Sequence, residues 1–248
     1  MITIEQPQAF SQRGKREENQ DCIFPSPEII TIDDKLFIVC DGVGGGNMGE
    51  VASQITCKTF RDFFRQINLK TIDKIIIDQA IHRVQIAFDE FILKNQEARN
   101  MATTIALLYL NQHNAIIVHA GDSRVYQFRN EQILYKTYDH SMVNELVKRG
   151  QISSKEVNEH PQKNMITKAV WGSHMGRIEP DIIELNDIND GDYFFICSDG
   201  VLENIPDDTL CKIMCDSDIN DSIKQETILS LCNKYSTDNF SAIFFKIK

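Results

Sequence analysis

Several things are missing from this sequence, and each absence excludes a class of protein. No apolar run approaches the ~20 residues that a membrane-spanning helix needs. The N-terminal Met1-Ile2-Thr3-Ile4-Glu5 has neither a basic start nor an apolar signal core, so the chain is expected in the cytoplasm. Positive charge is scarce: 26 Lys and Arg stand against 36 Asp and Glu, a net charge of -10. That balance argues against a binder of nucleic acid or anionic membrane. There is no Gly-x-x-x-x-Gly-Lys-Ser/Thr phosphate loop, no Gly-x-Ser-x-Gly elbow and no His-Glu-x-x-His. No cysteine is followed six positions on by arginine, and Gly121-Asp122 is not followed by His-Gly. The seven cysteines are odd in number, lie mostly in apolar segments and show no zinc-ligand spacing, as expected of reduced thiols. Repeats, low-complexity tracts and linkers are also missing, so residues 1–248 are expected to form one domain.

What is present is a recurring strand end. Leu36, Phe37, Ile38, Val39 and Cys40 make an apolar, β-prone run that is expected to stop at Asp41, with glycines at 42, 44, 45, 46 and 49. Tyr193, Phe194, Phe195, Ile196 and Cys197 repeat the pattern and end in Ser198-Asp199-Gly200. Ile116 to Ala120 ends in Gly121-Asp122-Ser123-Arg124, and Asp238-Asn239 precede a last strand at 242–247. Aspartates meeting at strand ends, with no lysine among them, repel one another unless a cation lies between them. Hard divalent ions such as Mg2+ or Mn2+ favour such all-oxygen surroundings.

The rest of the chain frames these ends. Helical spacing is expected over 49–66 and 71–95, and again over 206–214 and 219–235. Residues 101–110 and 115–120 read as a hairpin around Asn111-Gln112-His113-Asn114, and 125–128 with 132–137 as another. Residues 1–10 read as an edge strand or lead-in, 11–21 as a polar loop before a strand at Cys22-Ile23-Phe24, and 181–197 as strands. Residues 138–180 show short helical stretches at 142–149 and 154–159 and no clear strand, and read as an irregular flap. Hairpins packed with long helices indicate an α+β sandwich, not a doubly wound parallel sheet.

Phosphate-ester hydrolysis would use these parts. Two metal ions can hold a bridging water and lower its pKa toward ~7, and an arginine can clamp phosphoryl oxygens. Asp41 would bridge the ions, and Asp199 and Asp238 would complete the ligands of one. The Gly42 carbonyl and waters held by Asp21 would serve the other, while Arg16 would bind the phosphate. Taken singly, each Asp-Gly is an ordinary turn dipeptide, and Arg16 an ordinary surface charge. His140 and His160 read as hydrogen-bonding residues of the flap.

The order of motifs carries more weight. Arg16-x-x-Asn19-Gln20-Asp21, Asp41-Gly42-x-Gly44-Gly45, Gly49-Glu50-x-Ala52-Ser53, Met101-Ala102-Thr103-Thr104, Gly121-Asp122-Ser123-Arg124, Asp139-His140-Ser141, His160-Pro161, Ser198-Asp199-Gly200 and Asp238-Asn239 follow one another along nearly the whole chain. This resembles the metal-dependent (PPM, type 2C) serine/threonine protein phosphatases, in their compact bacterial branch. The resemblance implies a central antiparallel β-sandwich flanked by helix pairs on both faces, with the metals at one end. It implies two Mn2+ or Mg2+ ions and a third, weaker one held by Asp122 with Asp199. A flap over about 140–175 would lie beside this third site and influence substrate choice. The partners implied are phosphorylated proteins, substrates of a cognate serine/threonine kinase, with no nucleic acid and no membrane, the chain acting as a monomer. Two further readings stand beside this one: a phosphoprotein-binding module with weak turnover, and a regulatory phosphatase dedicated to one partner. Val43 stands where the eukaryotic branch has a histidine, Gln20 where many relatives have Glu, and Gly46 where bacterial members often have His.

Overall fold

The computed structural model describes residues 1–43, 48–67, 72–153 and 155–248. Gly44, Gly45, Gly46 and the expected helix starts at Thr71 and Ser154 lie outside the described residues. In chain order the elements are β1 (Gln8–Gln12), β2 (Asp21–Phe24), β3 (Leu36–Val43), α1 (Met48–Gln66), α2 (Lys74–Lys94), β4 (Ala102–Thr103), β5 (Ile105–Leu110), β6 (Ala115–Ala120), β7 (Arg124–Arg129), β8 (Gln132–Lys136), α3 (Met142–Lys148), β9 (Val170–Trp171), β10 (Asp181–Leu185), β11 (Tyr193–Cys197), α4 (Asp199–Leu202), α5 (Asp207–Cys215), α6 (Asp221–Tyr235) and β12 (Phe240–Lys246).

Two antiparallel sheets face each other. One runs β1-β12-β11-β7-β8, and the other β10-β6-β5-β3-β4-β9 with β2 on the far edge of β3. The near-unbroken apolar strands follow from this stacking, because both of their faces are covered. Along β3, Phe37 and Val39 point between the sheets, where Phe245 lies 4.4 Å from Phe37 ring to ring. Ile38 and Cys40 point the other way, onto Phe60 of α1 and Ile77, Val84 and Phe88 of α2. β11 does the same on the opposite side: Phe194 and Ile196 face inward, and Phe195 and Cys197 pack against Leu210 and Met214 of α5 and Ile228 of α6. The result is the expected α+β sandwich, helices on both faces and three apolar interiors between four layers.

The structure moves several boundaries. β3 does not stop at Asp41. It continues through Gly42 and Val43, because these pair with Thr103 and Ala102 of β4. The single strand expected over 101–110 is broken at Thr104, whose N–H donates to the Asp41 carbonyl (2.8 Å). The second helix begins at Lys74, capped by the Asp73 side chain, which accepts from the Ile76 N–H at 3.0 Å. Pro206 is the cap residue before α5, not part of its first turn. The flap, expected to hold no strand, contributes β9 to the sheet beside β4, and its second helical stretch is only a 3-10 turn at Val157–Glu159. α4 was not anticipated, since four residues are too few to show a period.

Candidate active site

Five separate segments bring aspartates to one end of the sandwich. Asp41 sits near the end of β3 and Asp21 at the start of β2, directly opposite it in register. Asp122 lies in the turn after β6, Asp199 opens α4, and Asp238 stands just before β12. A cleft of about 600 Å3 is lined by Asp41, Gly42, Asp122, Asp199, Asp238 and Arg16, among others. Asp21 is not among its lining residues. It is 8% exposed and lies beneath, its Oδ2 accepting from Ser198 Oγ at 2.7 Å.

Local contacts explain why the side chains point inward. The main chain of Asp41 is held on both sides: its N–H donates to Thr104 Oγ1 (2.9 Å), and its carbonyl accepts from Thr103 Oγ1 (2.8 Å). Its carboxylate faces the cleft. Asn239 staples the Arg16 loop to the head of β12. Its Oδ1 accepts from the Gln20 N–H (2.9 Å), and its Nδ2 donates to the carbonyls of Arg13 (2.8 Å) and Glu18 (2.7 Å). Gly42 must be glycine, because a Cβ there would lie 2.2 Å from the Gly49 carbonyl oxygen and 2.8 Å from that of Gln20. Gly121, at φ +107°, turns the chain so that Asp122 enters the cleft.

The electrostatics are those of an acid cluster short of positive charge. Burial pushes the Asp21 carboxyl up to about 7, against the hydrogen bonds of Ser198 and Ser241. Burial and then the charge of Asp199 raise Asp122 to about 8, and burial raises Asp199 to about 6. Asp41 is pushed well above the carboxylate range by burial and then by Asp21, Asp199 and Asp122. Like charges facing each other across a strand pair destabilise a sheet, so the Asp21–Asp41 register is relieved by a proton or by a cation between the carboxylates. Asp21 Oδ1 and Asp199 Oδ1 are buried with no hydrogen-bond partner among the described residues. The only cationic side chain lining the cleft among the described residues is Arg16. Oxygen-only donors, two of them orphaned, with mutual repulsion raising every buried carboxyl, fit hard divalent ions.

The expected site residues therefore converge. Arg16 stands at the mouth, 59% exposed, with its guanidinium bonded to Asp238 at 2.6 Å, not free. The sequence points to a flap beside the site but does not single out Asn164 and Ile166, which line the same cleft, since nothing in their local sequence marks them. It also missed how Asp139-His140-Ser141 serves the site. Asp139 takes Arg124 in a two-pronged bond (2.6 and 2.7 Å), bracing the turn that carries Asp122. Arg124 is braced from Asp139 and Asp207, not from Asp122.

Residues 11–225 match the family model described as protein phosphatase 2C. The chain is 32% identical over 228 residues to protein phosphatase PhpP of Streptococcus pneumoniae, covering 88% of this chain and 87% of that protein. Among solved structures it is similar to the serine/threonine phosphatase Stp1 of Staphylococcus aureus (TM-score 0.84, 29% identity, 99% of this chain and 95% of that one). The catalytic domain of serine/threonine protein phosphatase PstP, solved with two manganese ions, shares the fold (TM-score 0.83, 23% identity, 100% and 99% covered).

Proposed function

We propose residue roles and a reaction for this chain, which belongs to the protein phosphatase 2C family. It is a metal-dependent serine/threonine protein phosphatase, hydrolysing phosphoserine and phosphothreonine esters in proteins. The observation that carries this reading is four aspartates lining one cleft with Asp21 beneath them, and two buried carboxylate oxygens that have no hydrogen-bond partner among the described residues. A module that only bound phosphoproteins would have no use for so costly a cluster.

In this reading Asp41 would serve both ions, Asp199 and Asp238 would hold one of them, and the Gly42 carbonyl with Asp21 would hold the other. Asp122 with Asp199 would hold a third. Bound divalent ions would supply Lewis acidity and a water acidic enough to ionise near neutral pH. The ions are Mn2+ or Mg2+, and the two manganese ions of the PstP structure support the count of two.

The chain's own residues do the positioning. Asp41 is held by its main chain, so its carboxylate reaches the cleft without rearrangement. Arg16 is exposed and, among the described residues, bound only through Asp238, so it can exchange that partner for phosphoryl oxygens at the cleft mouth. Ser198 holds one oxygen of Asp21, and the other has no hydrogen-bond partner among the described residues. Asn164 and Ile166 place the flap against the substrate.

The substrates are phosphoproteins of a cognate kinase, and the chain acts as one monomeric domain. Seven free cysteines support a reducing, cytoplasmic location. No helix among the described residues is long and apolar enough to cross a membrane. The test is hydrolysis of a phosphothreonine peptide by the metal-stripped protein with and without Mn2+. Turnover that appears only with Mn2+ supports the assignment. Tight peptide binding with no turnover at any Mn2+ concentration would leave only the binding module.

A further inference from the structure

Outside the cleft, His119, His140 and Asp181 form the one group of three potential metal ligands found among the described residues. Its hydrogen bonds say what it does instead. His140 Nδ1 accepts from the Gly121 N–H at 3.2 Å, so a neutral imidazole carries its proton on Nε2 and donates to Asp181 Oδ2, also at 3.2 Å. Burial, then Lys168, hold the ring neutral. No lone pair on His140 remains for a cation. His119 likewise donates from Nε2 to the Ser123 carbonyl (3.0 Å), and the two rings stack 4.8 Å apart.

The same residue grips Gly121 a second time. The His140 N–H donates to the Gly121 carbonyl at 2.8 Å, while the His140 carbonyl accepts from Thr167 of the flap at 2.7 Å. Asp181, on the far side of the ring, accepts from Lys168 Nζ at 2.7 Å. Gly121 is the positive-φ residue that turns Asp122 into the cleft, and a Cβ on it would lie 2.6 Å from Thr104 Cγ2. The Gly121 N–H belongs to the peptide before it and its carbonyl to the peptide after it, and a turn in that conformation keeps its orientation when both groups are fixed. His140 fixes both.

We propose that His140 is a positioning residue: it clamps the two peptide groups that flank Gly121 and ties them to the flap, so that the Asp122 carboxylate is aimed at a cation in the cleft. This rests on the cation role proposed above for Asp122. Residues that orient a metal ligand without touching the metal are commonly worth ten-fold or more in affinity.

The test is calorimetric titration of Mn2+ into the metal-stripped full chain, in five forms: wild type, His140→Phe, His140→Asn, Asp122→Asn and the His140→Phe/Asp122→Asn double variant. Phenylalanine keeps the ring stacked on His119 but cannot accept from Gly121. Asparagine places an amide oxygen near the Nδ1 position and keeps that bond. The Asp122-dependent binding step is expected to weaken about ten-fold in His140→Phe and to stay within about two-fold of wild type in His140→Asn. The double variant is expected to match Asp122→Asn alone. The proposal is overturned if His140→Phe titrates like wild type, or if it weakens binding equally when Asp122 is already replaced. It also falls if Asp122→Asn leaves the titration unchanged. Mn2+-dependent phosphopeptide turnover by the wild type, measured alongside, keeps that failure apart from a failure of the phosphatase reading itself.

Discussion

Replacing Asp41 by asparagine separates two things that a loss of activity alone would confuse: the repulsion the cluster suffers by itself, and the cation binding it exists for. Asp41 is packed toward Asp21, Asp199 and Asp122, and lies within hydrogen-bonding reach of Asp199. Two like charges 4 Å apart repel by ~4 kcal/mol at an effective dielectric of ~20. A proton shared between Asp41 and Asp199 relieves most of this, so removing the Asp41 charge should stabilise the metal-free protein by ~1–2 kcal/mol. In a chain of this size that corresponds to ~2–8 °C in Tm. In Mn2+ the order should reverse. Wild type at a hundred-fold excess over its Kd gains ~2.7 kcal/mol, or ~5–11 °C, whereas Asp41→Asn should gain little. Differential scanning calorimetry at pH 8, in EDTA and in Mn2+, gives all four values. The reasoning is refuted if Asp41→Asn melts below wild type in EDTA, or if Mn2+ shifts both proteins equally.

Three further outcomes are expected. In EDTA, stability should fall as pH rises from about 5 to about 8. The folded carboxyls of Asp199, Asp21 and Asp122 titrate at about 6, 7 and 8, above the ~3.9 of an unfolded aspartate, so the folded state holds more protons across this window. A metal-free Tm that is flat or rises over that range would contradict this, and Mn2+ should restore most stability at the alkaline end. Arg16→Ala should raise KM about ten-fold or more with a smaller change in kcat, since a charge-assisted phosphate contact is worth ~1.5–3 kcal/mol. Its Tm should hardly move, because the Arg16–Asp238 pair is exposed on the arginine side, and an unchanged KM would remove Arg16 from the site. Gly42→Ala should cost ~3 kcal/mol or more, since its Cβ would meet main-chain oxygens that have no room to move; a urea midpoint equal to wild type would disprove the close approach.

Much of the architecture is legible in the chain because it depends on local periodicity. Unbroken apolar runs from Leu36 to Cys40 and Tyr193 to Cys197 specify strands covered on both faces, and three- and four-residue spacing specifies α1 and α2. Aspartates placed after buried strands point to a cation-dependent site. The sequence could not say that β3 runs on through Gly42 and Val43, because that depends on β4, some sixty residues away. Nor could it say that Ser198 would hold Asp21 from a distance of 177 residues, or that Asn164 and Ile166 of the flap would reach the cleft.

The amino-acid order by itself determined which residue types lie at the ends of the strands, since side-chain alternation and glycine placement are properties of neighbouring residues. Only the tertiary structure decided that Asp21 faces Asp41, that both lie beside Asp199, and that His140 grips the Gly121 turn. Strand register and loop packing are set by contacts between distant segments, and no local pattern encodes which partner such a segment will meet.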